Sequence, residues 1–309
     1  VEGDLIPEKV PGAGKLLTTA AITPFPGGAF SNSVLSPGQV SCSGGYLVKL
    51  ETAWFTGSST LIQFVARLLW RIICWIELTL FTLILYLLSY LPKSLLQGFY
   101  FPVFRSWCRS FIRALGVDLR VQQKNTRPLP QHYILVANHP SAFEDIGIPA
   151  VFPVHSLARI EVRDWWLVGR ISTASGSLYV HRESKESRNA AAGQIESKLR
   201  AGINIALYPE GGCKGRRIFE SFRYGAFDIS LRTGVPILPV FLHYESQDDF
   251  EWREPQTLLH KIWHMMSTRN NRVNYYIYDA IDPAGFSDKA AYADYVHGKY
   301  LEWQARYLD

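Results

Sequence analysis

The chain has 309 residues, 48% hydrophobic and 14% aromatic, enough for a substantial core and for apolar surface in one large domain with an appendage. Its net charge of +5 and pI near 8.9 suit anionic partners, phosphate groups or an acidic membrane surface; the basic residues are scattered and no zinc-finger, RRM or helix-turn-helix signature occurs, so nucleic acid is not an expected partner. Cys42, Cys74, Cys108 and Cys213 form no CxxC pair, which excludes a disulfide framework and a zinc site and leaves reduced thiols, as in a cytosolic setting.

Residues 1–59 are rich in Gly, Pro, Ser and Thr and carry no sustained periodicity; an irregular N-terminal extension is expected there. No basic region leads into a long apolar core, so no signal peptide is expected. Residues 60–115 read as a membrane-associated helical hairpin. The run 78–91 is almost uninterruptedly apolar but is only 14 residues long, short of the ~20 that span a bilayer. Extending it back to Trp70 takes in Arg71 and Glu77, which are costly at mid-depth. Pro92-Lys93 stops that helix, and a second, about 95–115, carries Arg105, Arg109 and Arg113 on one face. Basic residues at both ends of the apolar segment, Arg67 and Arg71 and then 105–113, put both flanks on the cytoplasmic side, while Trp70, Trp75, Tyr86 and Tyr90 look like interfacial anchors. A hairpin dipping into one leaflet satisfies this better than a full span. The competing reading is a buried helix pair in a soluble core.

In residues 116–309, strands are expected at 117–121, 133–137, 154–160, 177–181, 203–208, 237–243 and 273–278. Helices are expected from 142, at 165–171, at 186–201 closed by Gly202, at 224–232 closed by Gly234, and at 289–307. This alternation gives an α/β domain whose mostly parallel sheet is flanked by helices. Ligands of such sheets bind beyond the strand ends, and His139, Arg182 and Glu210 each follow a strand directly.

The densest chemistry lies in residues 134–149, ILVANHPSAFEDIGIP. An apolar strand ends at Asn138-His139-Pro140-Ser141, Ser141 is placed to cap the next helix, and Glu144 and Asp145 fall in its first turn. A histidine at a strand mouth followed by acids can form a dyad in which imidazole is the general base and a carboxylate fixes its tautomer. Taken alone, a histidine near a turn is more often structural and first-turn acids are more often caps. A second stretch, Ala206-Leu-Tyr-Pro-Glu-Gly-Gly-Cys-Lys-Gly-Arg-Arg217, shifts that balance.

Together these blocks resemble the glycerolipid acyltransferases of the lysophosphatidic acid acyltransferase type. Asn138-His139-Pro140-Ser141 with a following acid is similar to the family's NHxSxxD block, and Tyr208-Pro209-Glu210-Gly211-Gly212 to its FPEGT block. Residues 176–182, GSLYVHR, are similar to the segment ending in Val-Asp-Arg, and residues 235–240, VPILPV, to the fourth block. Two departures stand out. The family's acid lies five positions after the histidine, which is Glu144 here, while the family's Asp-Ile pair is matched by Asp145-Ile146. Two successive helical side chains diverge by about 100°, so only one of these carboxylates should face His139. The threonine of FPEGT is replaced by Gly212, which removes a hydroxyl but keeps the backbone donors.

The resemblance implies acyl transfer from a thioester donor, acyl-CoA or acyl-carrier-protein, to the hydroxyl of a lysophospholipid, 1-acyl-glycerol-3-phosphate in the first instance, by a membrane enzyme whose catalytic domain faces the cytoplasm. Membrane lipids, the lysophospholipid and the acyl donor or its carrier protein are the expected partners; no metal and no bound cofactor are required. His139 would be the base, with Glu144 or Asp145 behind it, and backbone N–H groups of the Glu210-Gly211-Gly212 turn would meet the oxyanion. Arg182 is the first choice for the acceptor's phosphate; Arg159, Lys214, Arg216 and Arg217 are second choices. Glu210 either binds acceptor hydroxyls or braces the loop. Two rivals belong to other classes: a non-catalytic lipid-binding or scaffold subunit, and a hydrolase using His139 with Ser141 or Cys213.

Overall fold

The computed structural model describes residues 60–309 apart from Gln97 and Glu254; the N-terminal extension expected at 1–59, Cys42 included, lies outside the described residues. Seven strands, β1 (Asp118–Gln123), β2 (Ile134–Ala137), β3 (Val154–Arg159), β4 (Leu178–Val180), β5 (Asn204–Leu207), β6 (Ile237–Tyr244) and β7 (Arg272–Ile277), form one sheet in the order β1-β7-β6-β2-β5-β3-β4. Every neighbouring pair is parallel except β6 with β7. The helices are α1 (Thr60–Leu88), α2 (Lys93–Leu96), α3 (Tyr100–Leu115), α4 (Glu144–Val151), α5 (Ile160–Arg163), α6 (Val168–Ala174), α7 (Lys185–Arg200), α8 (Gly225–Thr233), α9 (Gln247–Phe250), α10 (Leu258–Ser267) and α11 (Lys289–Tyr307).

The central strands explain the layering. β2 and β5 are buried at every position, so they read as continuous apolar runs rather than alternating ones. The pleat sends Leu135 and Ala137 of β2 into a cluster with Phe104, Trp107, Phe143 and Val273. It sends Ile134 and Val136 into a second cluster on the opposite face with Leu199, Phe227, Val296 and Tyr300. The sheet is thus covered by α3 and α4 on one side and by α7, α8 and α11 on the other. Local signals end these helices. Ser184 Oγ accepts from Ser187 N at the start of α7, Gly234 takes φ +70° at the end of α8, and the Asp288 side chain caps α11.

The two N-terminal helices differ in kind. Ile62–Leu88 of α1 is long and apolar enough to cross a membrane by length and composition, with a mean hydropathy of 1.9, and extends about 40 Å. Phe64, Ile73, Leu80 and Leu87 project from it into solvent space, each more than half exposed. α3, by contrast, buries Tyr100, Phe104, Trp107, Cys108 and Leu115. Its arginines have partners within the protein. Arg105 donates to Pro149 O and Val151 O at 2.9 and 3.0 Å, and Arg109 to Ala150 O at 3.0 Å, so both satisfy carbonyls at the C-terminal end of α4. Arg113 pairs with Glu77, and Arg71 donates to Met266 O at 2.9 Å. The buried-helix reading therefore describes α3, whereas α1 keeps an exposed apolar face.

Candidate active site

Five parallel strands deliver their carboxyl ends to one edge of the sheet. β2 leads into Asn138-His139, β5 into Tyr208 to Gly212, β4 into Arg182, β3 ends on Arg159 and β6 ends on Tyr244. β2 and β5 are immediate neighbours, so the His139 turn and the Glu210 turn meet side by side.

His139 Nδ1 lies 3.2 Å from Glu144 Oε2, both side chains almost wholly buried. Glu144 Oε1 accepts from Ser141 N at 3.1 Å and from the Tyr244 hydroxyl at 2.5 Å. Three donors thus converge on one carboxylate, which assigns the Nδ1–H tautomer to the histidine and leaves Nε2 as the proton acceptor. Asp145, next along α4, is exposed and makes no hydrogen bond to the imidazole. The choice left open by the sequence falls on Glu144, because the helix turns the two carboxylates apart. Ser141 departs from expectation. α4 begins only at Glu144, and Ser141 Oγ accepts from Phe143 N at 3.2 Å, closing the turn before the helix rather than capping it.

Burial works against charge on both partners of the dyad, lowering His139 and raising Glu144. Contacts of the ring with Cys213 and Glu144 outweigh burial at the histidine. The net result is an imidazole that holds its proton to well above the ordinary histidine pKa. The ring is fixed from its face by Tyr208, stacked 4.2 Å away between centroids at 15°. It is fixed from the backbone by Glu210 Oε1, which accepts His139 N at 2.9 Å.

Glu210 braces the two turns. Its second oxygen accepts from Phe219 N at 3.3 Å, and burial pushes its carboxyl up to about 7 against the pull of those donors. Gly211 takes φ +78°, and a Cβ there would lie 2.2 Å from Arg223 Nε. Its N–H donates to Tyr208 O at 3.1 Å and its carbonyl receives Arg182 Nη1 at 2.6 Å. Gly211 N–H is thus engaged within the turn. Arg182 is partly buried, and burial together with the neighbouring guanidinium of Arg159 lowers its pKa.

Other expected cations are placed differently. Lys214 Nζ sits 4.9 Å over the Phe219 ring, Arg216 is bound by Glu251 and Asp248, and Arg217 pairs with Asp309. Arg216 and Arg217 are therefore both engaged by carboxylates of the protein. Arg159 is half exposed and donates to Glu161 at 3.2 Å. Among the described residues, no group of three or more His, Cys, Asp or Glu could hold a metal ion.

Three residues escaped the sequence reading. Tyr244 is a hundred positions from Glu144, and no local pattern reports that pairing. Asn138 stands in the quoted block, but its task is long-range too: its amide donates to Leu242 O at 2.9 Å and accepts from Leu242 N at 2.7 Å, tying the His139 turn to β6. Tyr208 did carry a signal, since it keeps an aromatic ring at the first position of the FPEGT-like block.

Residues 118–243 match the sequence model of a protein family described as Acyltransferase. Over those residues the chain is similar to that acyltransferase family. The 1-acyl-sn-glycerol-3-phosphate acyltransferase of Neisseria meningitidis is 23% identical over 193 residues, 60% of this chain and 74% of that protein. The lyso-ornithine lipid O-acyltransferase of Pseudomonas aeruginosa is 29% identical over 140 residues, 45% of this chain and 53% of that protein. The crystal structure of the 1-acyl-sn-glycerophosphate acyltransferase of Thermotoga maritima superposes with a TM-score of 0.50 at 20% identity, covering 75% of this chain and 98% of that one, which supports the acyltransferase fold. His139, Glu144, Arg182 and the Glu210 turn all lie inside the acyltransferase domain, and α1 precedes it.

Proposed function

We propose that this protein is a membrane-bound O-acyltransferase that moves a fatty acyl group from a thioester, acyl-CoA or acyl-carrier-protein, to the hydroxyl of a lysophospholipid, 1-acyl-glycerol-3-phosphate first among them. The observation that carries this reading is the buried Glu144–His139 pair at the carboxyl edge of the sheet, 3.2 Å apart, beside a glycine turn.

A free hydroxyl attacks a thioester poorly because it holds its proton far above neutral pH. His139 Nε2 takes that proton as the hydroxyl oxygen bonds to the acyl carbon, and Glu144 stabilises the imidazolium; help of this kind contributes ~10²–10⁴-fold. The negative charge on the tetrahedral oxygen is met by the Gly212 N–H. Collapse breaks the carbon–sulfur bond, and the departing thiolate recovers the proton from imidazolium. Arg182 and Arg159 supply the positive field for the acceptor's phosphate, and a guanidinium offers two parallel donors to phosphate oxygens. Lys214 is a further cation at the rim of the same turn. Glu210, with both oxygens on backbone N–H groups, holds the turns together in this scheme. α1 supplies the lipid anchor and keeps the domain on the cytoplasmic face.

The test is to incubate the purified protein with acyl-CoA or acyl-carrier-protein and a panel of lysolipids, and to read the products by mass spectrometry. A diacyl product, strongest with lysophosphatidic acid, is expected. Free fatty acid with no acylated lipid would identify a hydrolase instead.

A further inference from the structure

The proposed reaction leaves one nucleophile at the site without a role. Cys213 Sγ lies 3.6 Å from His139 Nε2, the nitrogen that takes the proton, and 3.3 Å from Ser141 O. Cys213 is half-buried, whereas the other two described cysteines, Cys74 and Cys108, are buried. Burial also pushes the Cys108 thiol far up, out of the range in which thiols react.

A thiol reacts as the thiolate. Contact with an imidazole whose other nitrogen is held by a carboxylate is the arrangement that removes a thiol proton. Glu144 Oε2, His139 Nδ1, His139 Nε2 and Cys213 Sγ supply that sequence of contacts, at 3.2 and 3.6 Å.

We propose that Cys213 is a covalent-modification site for soft carbon electrophiles, activated by the Glu144–His139 pair, and that the adduct closes the site. With an alkyl halide, the sulfur–carbon bond forms as the carbon–halogen bond breaks, halide leaves, and the thiol proton passes through Nε2 to solvent. With a maleimide, sulfur adds to one alkene carbon, the proton ends on the other, and nothing leaves. Either adduct stands against Nε2, where an acceptor hydroxyl has to approach. This blocking step rests on the acyl-transfer reading; the modification itself does not.

The experiment uses full-length protein with Cys42→Ser, so that the thiol outside the described residues is silent, and limiting N-ethylmaleimide at pH 7, with labelling rates read by peptide mass spectrometry. Cys213 should label at least ~10-fold faster than Cys74 or Cys108, and His139→Gln, which keeps a polar partner for Glu144, should slow it about 10-fold. Should His139→Gln melt early, Glu144→Gln serves as the second variant and should slow labelling in the same sense. An unchanged Cys213 rate in a folded variant, or faster labelling of Cys74 or Cys108, overturns the site. Because labelling is read without turnover, this result stands apart from the fate of the acyl-transfer reading. In the acyl-transfer assay, the fraction of turnover lost should follow the fraction of Cys213 labelled, and treatment should cost a Cys213→Ala protein none of its own rate. Full turnover in fully labelled protein overturns the blocking step.

Discussion

Replacing Glu144 by Gln isolates the charge and tautomer of the dyad while keeping its shape. The carboxylate accepts three donors: Ser141 N, the Tyr244 hydroxyl and His139 Nδ1. An amide oxygen can still accept the first two, which share Oε1. Its nitrogen then faces His139 and donates, which turns Nδ1 into the acceptor and puts the ring proton on Nε2. That tautomer cannot take a proton from the acceptor hydroxyl. A wrong-tautomer dyad loses about 10³–10⁴-fold in kcat, equivalent to about 4–5.5 kcal/mol of transition-state stabilisation. KM for the lysolipid should move little, since Glu144 is buried behind the ring. Asp145→Asn, on an exposed side chain without a bond to the imidazole, should cost less than about 10-fold. Steady-state acyl transfer on the two variants decides. Glu144→Gln within about 10-fold of wild type, or Asp145→Asn the more damaging, refutes the assignment.

The raised pKa of His139 sets a pH dependence: the base works only when neutral, so kcat/KM should be low in acid and climb to a plateau through an inflection above the ordinary 6.5. In Glu144→Gln the charge that favours imidazolium is gone, so the inflection of the residual rate should move to lower pH; an unmoved inflection would mean another group is being titrated. Gly211→Ala places a Cβ on a residue at φ +78° and against the Arg223 side chain, and should lower stability by about 1–2 kcal/mol in urea unfolding. Its activity should fall too, because the Gly211 carbonyl positions Arg182, and an alanine enzyme as stable and active as wild type would remove the argument for glycine there.

Periodicity, turn residues and the run of strands were enough to read the α/β class and the elements that carry the site, because burial on both faces of β2 and β5 forces unbroken apolar runs. His139, Arg182 and Glu210 were legible for a related reason: each follows a strand, and parallel strands deliver such residues to one edge. The fate of the charges was not legible. Arg105 and Arg109 share a helix face whether they meet a lipid headgroup or the carbonyls at the end of α4, and only the packing of α3 against α4 decides. Arg216 and Arg217 look like free phosphate ligands until Glu251, Asp248 and Asp309 arrive from distant parts of the chain. Short elements such as α5 and α9 carry too few residues for a period to be read.

The most direct test of the whole account is the rate of acyl transfer from a labelled thioester to lysophosphatidic acid by membranes carrying His139→Ala beside wild type at equal protein level. Loss of about 10²–10⁴-fold in kcat with the protein still folded is the predicted result. Turnover comparable to wild type would show that the imidazole at the end of β2 does not take the acceptor's proton.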